Sequence, residues 1–316
     1  MTFEFEIFCH ECIMCISENR TNFALSISAQ KYNKCHRRQN YRMENFSNTK
    51  ADSLSGSRLR NVEGNWLRVI AEDEACMVAV TTRGDRVGAD SSAYDGFNLC
   101  YYTGDSPAHV AECRHRLASA VSVDESKIIV PRQVHSVDVA VIDGDWSVAD
   151  WRSLTEGVDG VVVKLKGWVV GVSTADCVPV ILVDAVAGVV AAIHAGWRGA
   201  VGGVIENGIK AMAESGVDLM RVKAYIGPSI CVDCFEVGEE VAERFPEQFV
   251  ERCAGSRPHV DLPGYVAAVL IKEGISESNI SSFTKDCCTR CHPLTYFSAR
   301  AIGVKSGRNF MFAILK

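Results

Sequence analysis

No stretch of this chain is apolar for long enough to span a bilayer. The longest candidate, from Val178 to Ile193, contains Asp184 and a turn-like Ala187-Gly188, so it predicts two strands rather than a membrane helix. The N-terminus has no basic segment ahead of an apolar core. Met1-Thr2-Phe3-Glu4-Phe5-Glu6 is acidic, which speaks against a secretory signal and predicts a cytoplasmic protein. There is no long Lys/Arg cluster either. With 33 basic against 39 acidic residues, the formal charge is -6 and the pI is near 5.8. That balance lacks the electrostatic footprint of a nucleic-acid binder, so neither nucleic acid nor membrane is expected as a partner. Close-spaced metal motifs are missing too: no His-Glu-x-x-His, and no His-x-Glu followed by Pro-Cys-x-x-Cys. No internal repeat is present.

What remains is a chain of ordinary globular composition. Of its 316 residues, 47% are hydrophobic and 23% charged, ample for a sizeable core. The 14 cysteines are scattered rather than framed as a disulfide scaffold, so most are expected as thiols in a reducing compartment. Residues 1–60 are polar and carry no sustained period. They read as a disordered extension or a mis-called start, with Met43 as an alternative first residue. The domain proper is placed at 61–316.

Within it, Met77–Thr82, Ile128–His135, Val137–Ile142, Val158–Leu165, Trp168–Thr174, Pro179–Val183, Val189–Ile193, Val222–Ile226 and Phe310–Leu315 read as strands. Pro107–Val121, Arg198–Glu214, Val237–Phe245 and Pro263–Glu273 read as helices. Strands come in runs with helices between them, which favours an α+β fold in a single domain over a doubly wound sheet.

Three segments carry chemistry: Pro131-Arg132-Gln133-Val134-His135, Ser173-Thr174-Ala175-Asp176-Cys177 and His194-Ala195-Gly196-Trp197-Arg198-Gly199. Each is expected to put a ligand type at the end of an apolar strand, where strand ends share a rim. Two imidazoles and one thiolate suit zinc, and three protein ligands leave a fourth position open, as catalytic sites do. The competing reading is that each is an ordinary packed or solvated side chain. The Gly196–Gly199 turn enters a helix, where Arg198 could hold a phosphate. The glycines could equally serve only the turn.

These segments resemble the signatures of the laccase-domain family, also known as multicopper polyphenol oxidases or zinc purine nucleoside phosphorylases. The likeness extends to Thr81-Thr82-Arg83, Asn98-Leu99, Gly104-Asp105, Gly227-Pro228-Ser229-Ile230, Phe235-Glu236-Val237-Gly238, Cys288-Thr289, Phe297-Ser298 with Arg300, and Ser306-Gly307-Arg308. It implies a four-layer α/β/β/α fold with mixed sheets and one zinc on His135, Cys177 and His194. It also implies phosphorolysis of adenosine, inosine, guanosine and methylthioadenosine, with adenosine deamination beside it. Purine nucleosides and phosphate are then the partners, and a monomer or a homodimer is open. The chain departs from the pattern at Gly84-Asp85-Arg86-Val87-Gly88 and at Arg300-Ala301.

On this reading Arg83 and Arg198 are candidates for the phosphate, and Asn98 for a purine or ribose edge. Asp176 is either a proton carrier, a group orienting a histidine, or a turn cap. Copper chemistry on phenols is a rival, but none of the eight histidines forms a His-x-His pair. A cysteine-dependent amidase acting in peptidoglycan precursor editing, with Cys177 as nucleophile and His194 or His135 as base, is the second rival. A non-catalytic binding role is the third. Cys231-x-x-Cys234 and Cys288-x-x-Cys291-His292 read as packed loop thiols, with redox or metal use as alternatives. Cys9-x-x-Cys12-x-x-Cys15 with Cys35-His36 has zinc-type ligands without a complete pattern. His109 and His115 are expected to be solvated, and His259 has no evident partner.

Overall fold

The computed structural model describes residues 58–59, 62–85, 87–88, 90–144, 148–283 and 287–316. The cysteines before residue 40, with His36, lie outside them, as does nearly all of the expected extension. The fold described below lies within Thr49–Arg252 and Ser256–Lys316.

Fourteen strands are formed among the described residues: β1 Arg58–Leu59, β2 Leu67–Glu72, β3 Cys76–Thr81, β4 Ile128–Ile129, β5 Val139–Ile142, β6 Gly160–Val163, β7 Val169–Thr174, β8 Val178–Asp184, β9 Val189–Ala195, β10 Lys223–Ile226, β11 Val250–Glu251, β12 His259–Val260, β13 Ile280–Ser282 and β14 Asn309–Leu315. The helices are α1 Pro107–Val121, α2 Val148–Leu154, α3 Trp197–Gly202, α4 Val204–Glu214, α5 Glu239–Ala242, α6 Leu262–Lys272 and α7 Ala299–Ile302. One six-stranded sheet runs β1-β2-β3-β14-β7-β4, and a second runs β13-β10-β8-β9-β6-β5. Both are mixed: β4/β7, β5/β6 and β10/β13 pair parallel and the other pairs antiparallel.

The sheets stack face to face with helices outside them. Along β8, Val178, Val180 and Leu182 point to a core shared with α4 and α6, while Ile181 and Val183 point into the space between the sheets. Along β14, Met311, Ala313 and Leu315 fill that inter-sheet layer, and Phe310, Phe312 and Ile314 pack with Cys113 and Leu117 of α1. A strand covered on both faces has no polar side to show. This is why these runs are continuously apolar rather than alternating. Truncating a fully buried residue such as Ile181 to Ala would cost about 2–5 kcal/mol. The four-layer α/β/β/α expectation therefore holds.

Three sequence expectations need correction. The strand expected over Ile128–His135 stops at Ile129, so His135 lies in a loop. The helix expected over Arg198–Glu214 is two helices, because Gly203 at φ 103° breaks it into α3 and α4. The helix expected over Val237–Phe245 shrinks to α5.

Candidate metal centre

Strand pairing builds the site. Antiparallel pairing of β8 with β9 sets Val178 opposite Ala195, so Cys177, one residue before β8, falls beside His194 and Gly196. Pairing of β6 with β9 sets Gly160 opposite Ile193 and brings Asp159 against His194. The His194 amide donates to the Asp159 carbonyl at 2.7 Å, and its ring Nδ1 lies 2.6 Å from Asp159 Oδ1. A carboxylate accepts there, so Nδ1 carries the proton and Nε2 is left for a ligand.

The same carboxylate holds His135. The amides of Val134, His135 and Ser136 donate to it at 3.1, 3.0 and 2.6 Å. This anion nest keeps His135 at φ 63°, a left-handed conformation that a non-glycine residue adopts only when its surroundings fix it. Gln133 braces the loop from the other sheet. Its Nε2 donates to the Ser173 carbonyl and its Oε1 accepts the Ser173 amide, both at 2.8 Å.

Cys177 enters on the segment that leaves β7 in one sheet and starts β8 in the other. The turn there needs Asp176 at φ 90°. Its carboxylate accepts from Thr289 Oγ1 and from the Arg300 amide, each at 2.7 Å, and its carbonyl accepts the Ile230 amide at 2.9 Å.

The ligand atoms of His135, Cys177 and His194 all lie within 4.8 Å of one another, with Cys177 Sγ 3.7 Å from His135 Nε2. The two imidazoles meet edge to face at 4.8 Å between centroids. Beneath them, a Cβ on Gly196 would lie 2.7 Å from His135 Cδ2 and 3.2 Å from Cys177 Sγ, so only glycine lets the three ligands close up. The group can hold a metal ion, and its mixed nitrogen and sulfur donors suit zinc and copper better than calcium or magnesium.

The charges interlock. Burial alone would push the Cys177 thiol up, but His194 and His135 outweigh it and bring it down to about 6. Burial would lower His194, but the Cys177 thiolate and Asp159 raise it to about 9. Burial would raise Asp159, yet the His194 contact and the Ser136 and Val134 amides hold it at about 2. A thiolate prepared at neutral pH is what metal binding requires.

The other expected site residues are distributed differently. Arg198 is exposed, its guanidinium 4.3 Å over the Trp197 ring at the start of α3. Arg83 is buried and spends its guanidinium on the carbonyls of Asp95, Ser92 and Pro293 while stacking on Phe297. These bonds make it a brace between loops. Asn98 is likewise buried, with its amide on Thr103 and Asp105 and its oxygen on the Cys100 and Arg308 amides, which leaves nothing for a nucleoside. Asp176 orients no histidine; that part falls to Asp159. His109 is not simply solvated, since Nδ1 lies 2.8 Å from Asp105 Oδ2, and His259 Nδ1 lies 2.9 Å from the Val232 carbonyl.

Sequence reasoning passed over Asp159, and it read Gly196 only as part of a turn, not as the close approach beneath His135 and Cys177. The signal for Asp159 was a carboxylate opening an apolar strand, where a buried charge demands partners.

Residues 77–316 match the family described as multi-copper polyphenol oxidoreductase laccase. The chain belongs to this family. Within it, the chain is 43% identical over 240 residues to a protein named adenosine deaminase RL5 from an unknown prokaryotic organism, covering 73% of this chain and 90% of that one. It is 41% identical over 204 residues to purine nucleoside phosphorylase ORF3 of Streptomyces griseus, covering 63% and 81%. Its fold is that of Bacillus licheniformis hypothetical protein YfiH, with a TM-score of 0.73 at 22% identity, covering 83% of this chain and all of the other. The family's description speaks of several copper ions. The cluster on His135, Cys177 and His194 offers three ligands to one ion, and it is the one metal-capable group containing histidine among the described residues. Among those residues no helix is long and apolar enough to cross a membrane.

Proposed function

We propose that this protein is a zinc enzyme of purine nucleoside metabolism, a phosphorylase that also deaminates adenosine. The observation that carries it is the convergence of His135, Cys177 and His194 on one point, with Asp159 fixing both histidines. The names of its relatives, adenosine deaminase and purine nucleoside phosphorylase, support the substrate class.

When bound, zinc supplies a Lewis acid that brings the pKa of water toward neutrality. The chain's own groups do the rest. Cys177 and the two imidazoles would hold the ion. Asp159 keeps a proton on His194 Nδ1 and so aims Nε2. Exposed Arg198 meets the phosphate. Val134, 54% exposed beside His135, offers an apolar rim to the purine ring. Asp176, buried and held by Thr289 and Arg300, positions the Cys177 turn.

The test is incubation of zinc-loaded protein with inosine and phosphate, followed by chromatography for hypoxanthine and ribose 1-phosphate, and with adenosine for inosine. Product in either assay is expected. Absence of all three products from metal-replete protein refutes the reading.

One observation favours a second reading. Cys177, His194 and Asp159 follow one another as thiolate, imidazole and carboxylate, the order of a cysteine hydrolase. That reading requires hydrolysis of an amide to survive chelation, with Cys177 trapped by an electrophile during turnover.

A further inference from the structure

Cys231-x-x-Cys234 and Cys288-x-x-Cys291 are far apart in sequence, yet their four sulfurs lie within 4.8 Å of one another. Cys234 and Cys291 are 3.4 Å apart, and none of the four is in a disulfide. We propose that these four cysteines bind a second, structural zinc ion, separate from the centre on His135, Cys177 and His194.

Geometry comes first. Four sulfurs set tetrahedrally at the usual zinc–sulfur distance of about 2.3 Å stand about 3.8 Å from each other. The Cys234–Cys291 separation of 3.4 Å and the 4.8 Å limit on every pair leave room for that arrangement. Spacing agrees, since two Cys-x-x-Cys pairs form the ligand set of a closed, four-coordinate site. Each pair is already folded as a knuckle. The Cys234 amide donates to the Cys231 carbonyl at 3.0 Å, and the His292 amide donates to the Cys288 carbonyl at 3.1 Å. The Cys231 amide points at Cys288 Sγ, 3.3 Å away, the kind of N–H···S contact that stabilises a thiolate. His259 holds the first knuckle through the Val232 carbonyl.

Charge supports the same conclusion. Four thiolates around a divalent ion leave two negative charges, and burying them uncompensated is unfavourable. Arg290, between the two cysteines of the second knuckle, brings a cation to the cluster that would offset part of that charge. Cys234 and Cys288 are buried and Cys231 and Cys291 half-buried, so the site is closed to substrate. Loading the ion releases the protons that the thiols carry. No electron transfer is involved.

The position of this site gives it a consequence. One knuckle lies in the loop after β10 and the other in the loop before α7. Those two loops hold the Asp176 turn: the Ile230 amide and Thr289 Oγ1 both donate to Asp176, and the Thr289 amide donates to the Ser229 carbonyl at 3.1 Å. A zinc ion held by all four sulfurs would clamp the loops that position Cys177. It needs no assumption about which reaction the protein catalyses.

The test is metal content by mass spectrometry after expression with added zinc and purification under reductant. About two equivalents are expected in the wild type and about one in Cys177→Ala. About one is also expected in Cys234→Ser and in Cys291→Ser. X-ray absorption at the zinc edge of Cys177→Ala should show sulfur alone in the shell, near 2.3 Å. That measurement decides the matter even where a knuckle variant fails to fold. A wild type with one zinc and a Cys177→Ala with none overturns the proposal. So does iron in place of zinc, nitrogen in the residual shell, or a disulfide among the four cysteines in freshly alkylated protein.

Discussion

Replacing Asp159 with Asn should damage the metal centre from one atom away. The side chain keeps its shape, so packing is undisturbed. What changes is charge. The carboxylate accepts from His194 Nδ1 and from three consecutive amides. An asparagine must turn an NH2 group toward some of those donors. In metal-free protein the loss can be worked from the acid itself. Asp159 is buried and held at about 2, against 3.8 for an ordinary aspartate. A gap of nearly two pH units is roughly 2–3 kcal/mol of stability. Because the folded value is the lower one, this stability is complete above about pH 4 and fades as pH falls toward 2. The Asn variant should therefore be less stable than wild type by roughly that amount at pH 7, and the difference should shrink in acid. Metal binding should weaken as well, since removing the partner that fixes a ligating histidine typically costs 10–100-fold in affinity. Urea unfolding of the apo protein from pH 3 to 7, with zinc competition against a chromogenic chelator, measures both. An Asn variant within twofold of wild-type zinc affinity, with equal stability at pH 7, would refute the account of Asp159 given above.

Gly196→Ala should cost at least tenfold in zinc affinity while leaving the fold intact, because φ -70° and ψ 162° suit alanine and only the ligands beyond are crowded; circular dichroism beside the chelator competition checks both halves. In metal-free protein, the alkylation rate of Cys177 by iodoacetamide should rise through a midpoint near pH 6 rather than 9, the thiolate form being favoured above that point, and zinc should suppress it. Arg198→Ala should raise KM for phosphate in inosine phosphorolysis and leave adenosine deamination unaltered, as steady-state kinetics would show. Arg83→Ala should do the reverse, lowering stability by about 1–3 kcal/mol in urea because a buried guanidinium's bonds to three carbonyls are lost, with phosphate KM unchanged in the folded protein.

The inner strands were legible because both faces of each are covered, which writes an apolar run directly into the sequence. Helix α1 was legible from its Pro107 start and its spacing, and its observed ends are those expected. Loop geometry was not. His135 read as a strand end because Ile128–Val134 is mostly apolar, but the loop there is set by a carboxylate 24 residues away. Long-range hydrogen bonds of this kind leave no period. The same blindness covers Arg83 and Asn98, whose residue types suit ligand binding while their partners in space are three carbonyls for the one and Thr103, Asp105 and two backbone amides for the other. Family likeness picked out His135, Cys177 and His194, which the structure brings within 4.8 Å of one another. It could not show that Asp159 unites two of them, or that two Cys-x-x-Cys pairs 57 residues apart share one point.

The chain crosses from one sheet to the other at Ala175–Cys177, yet the centre itself belongs to one sheet. His135 and His194 are tied through a single acid to β6 and β9, and Cys177 sits one residue before β8, which pairs with β9. An ion held there would staple neighbouring strands of a single sheet at their ends, and by mass action it would resist their fraying.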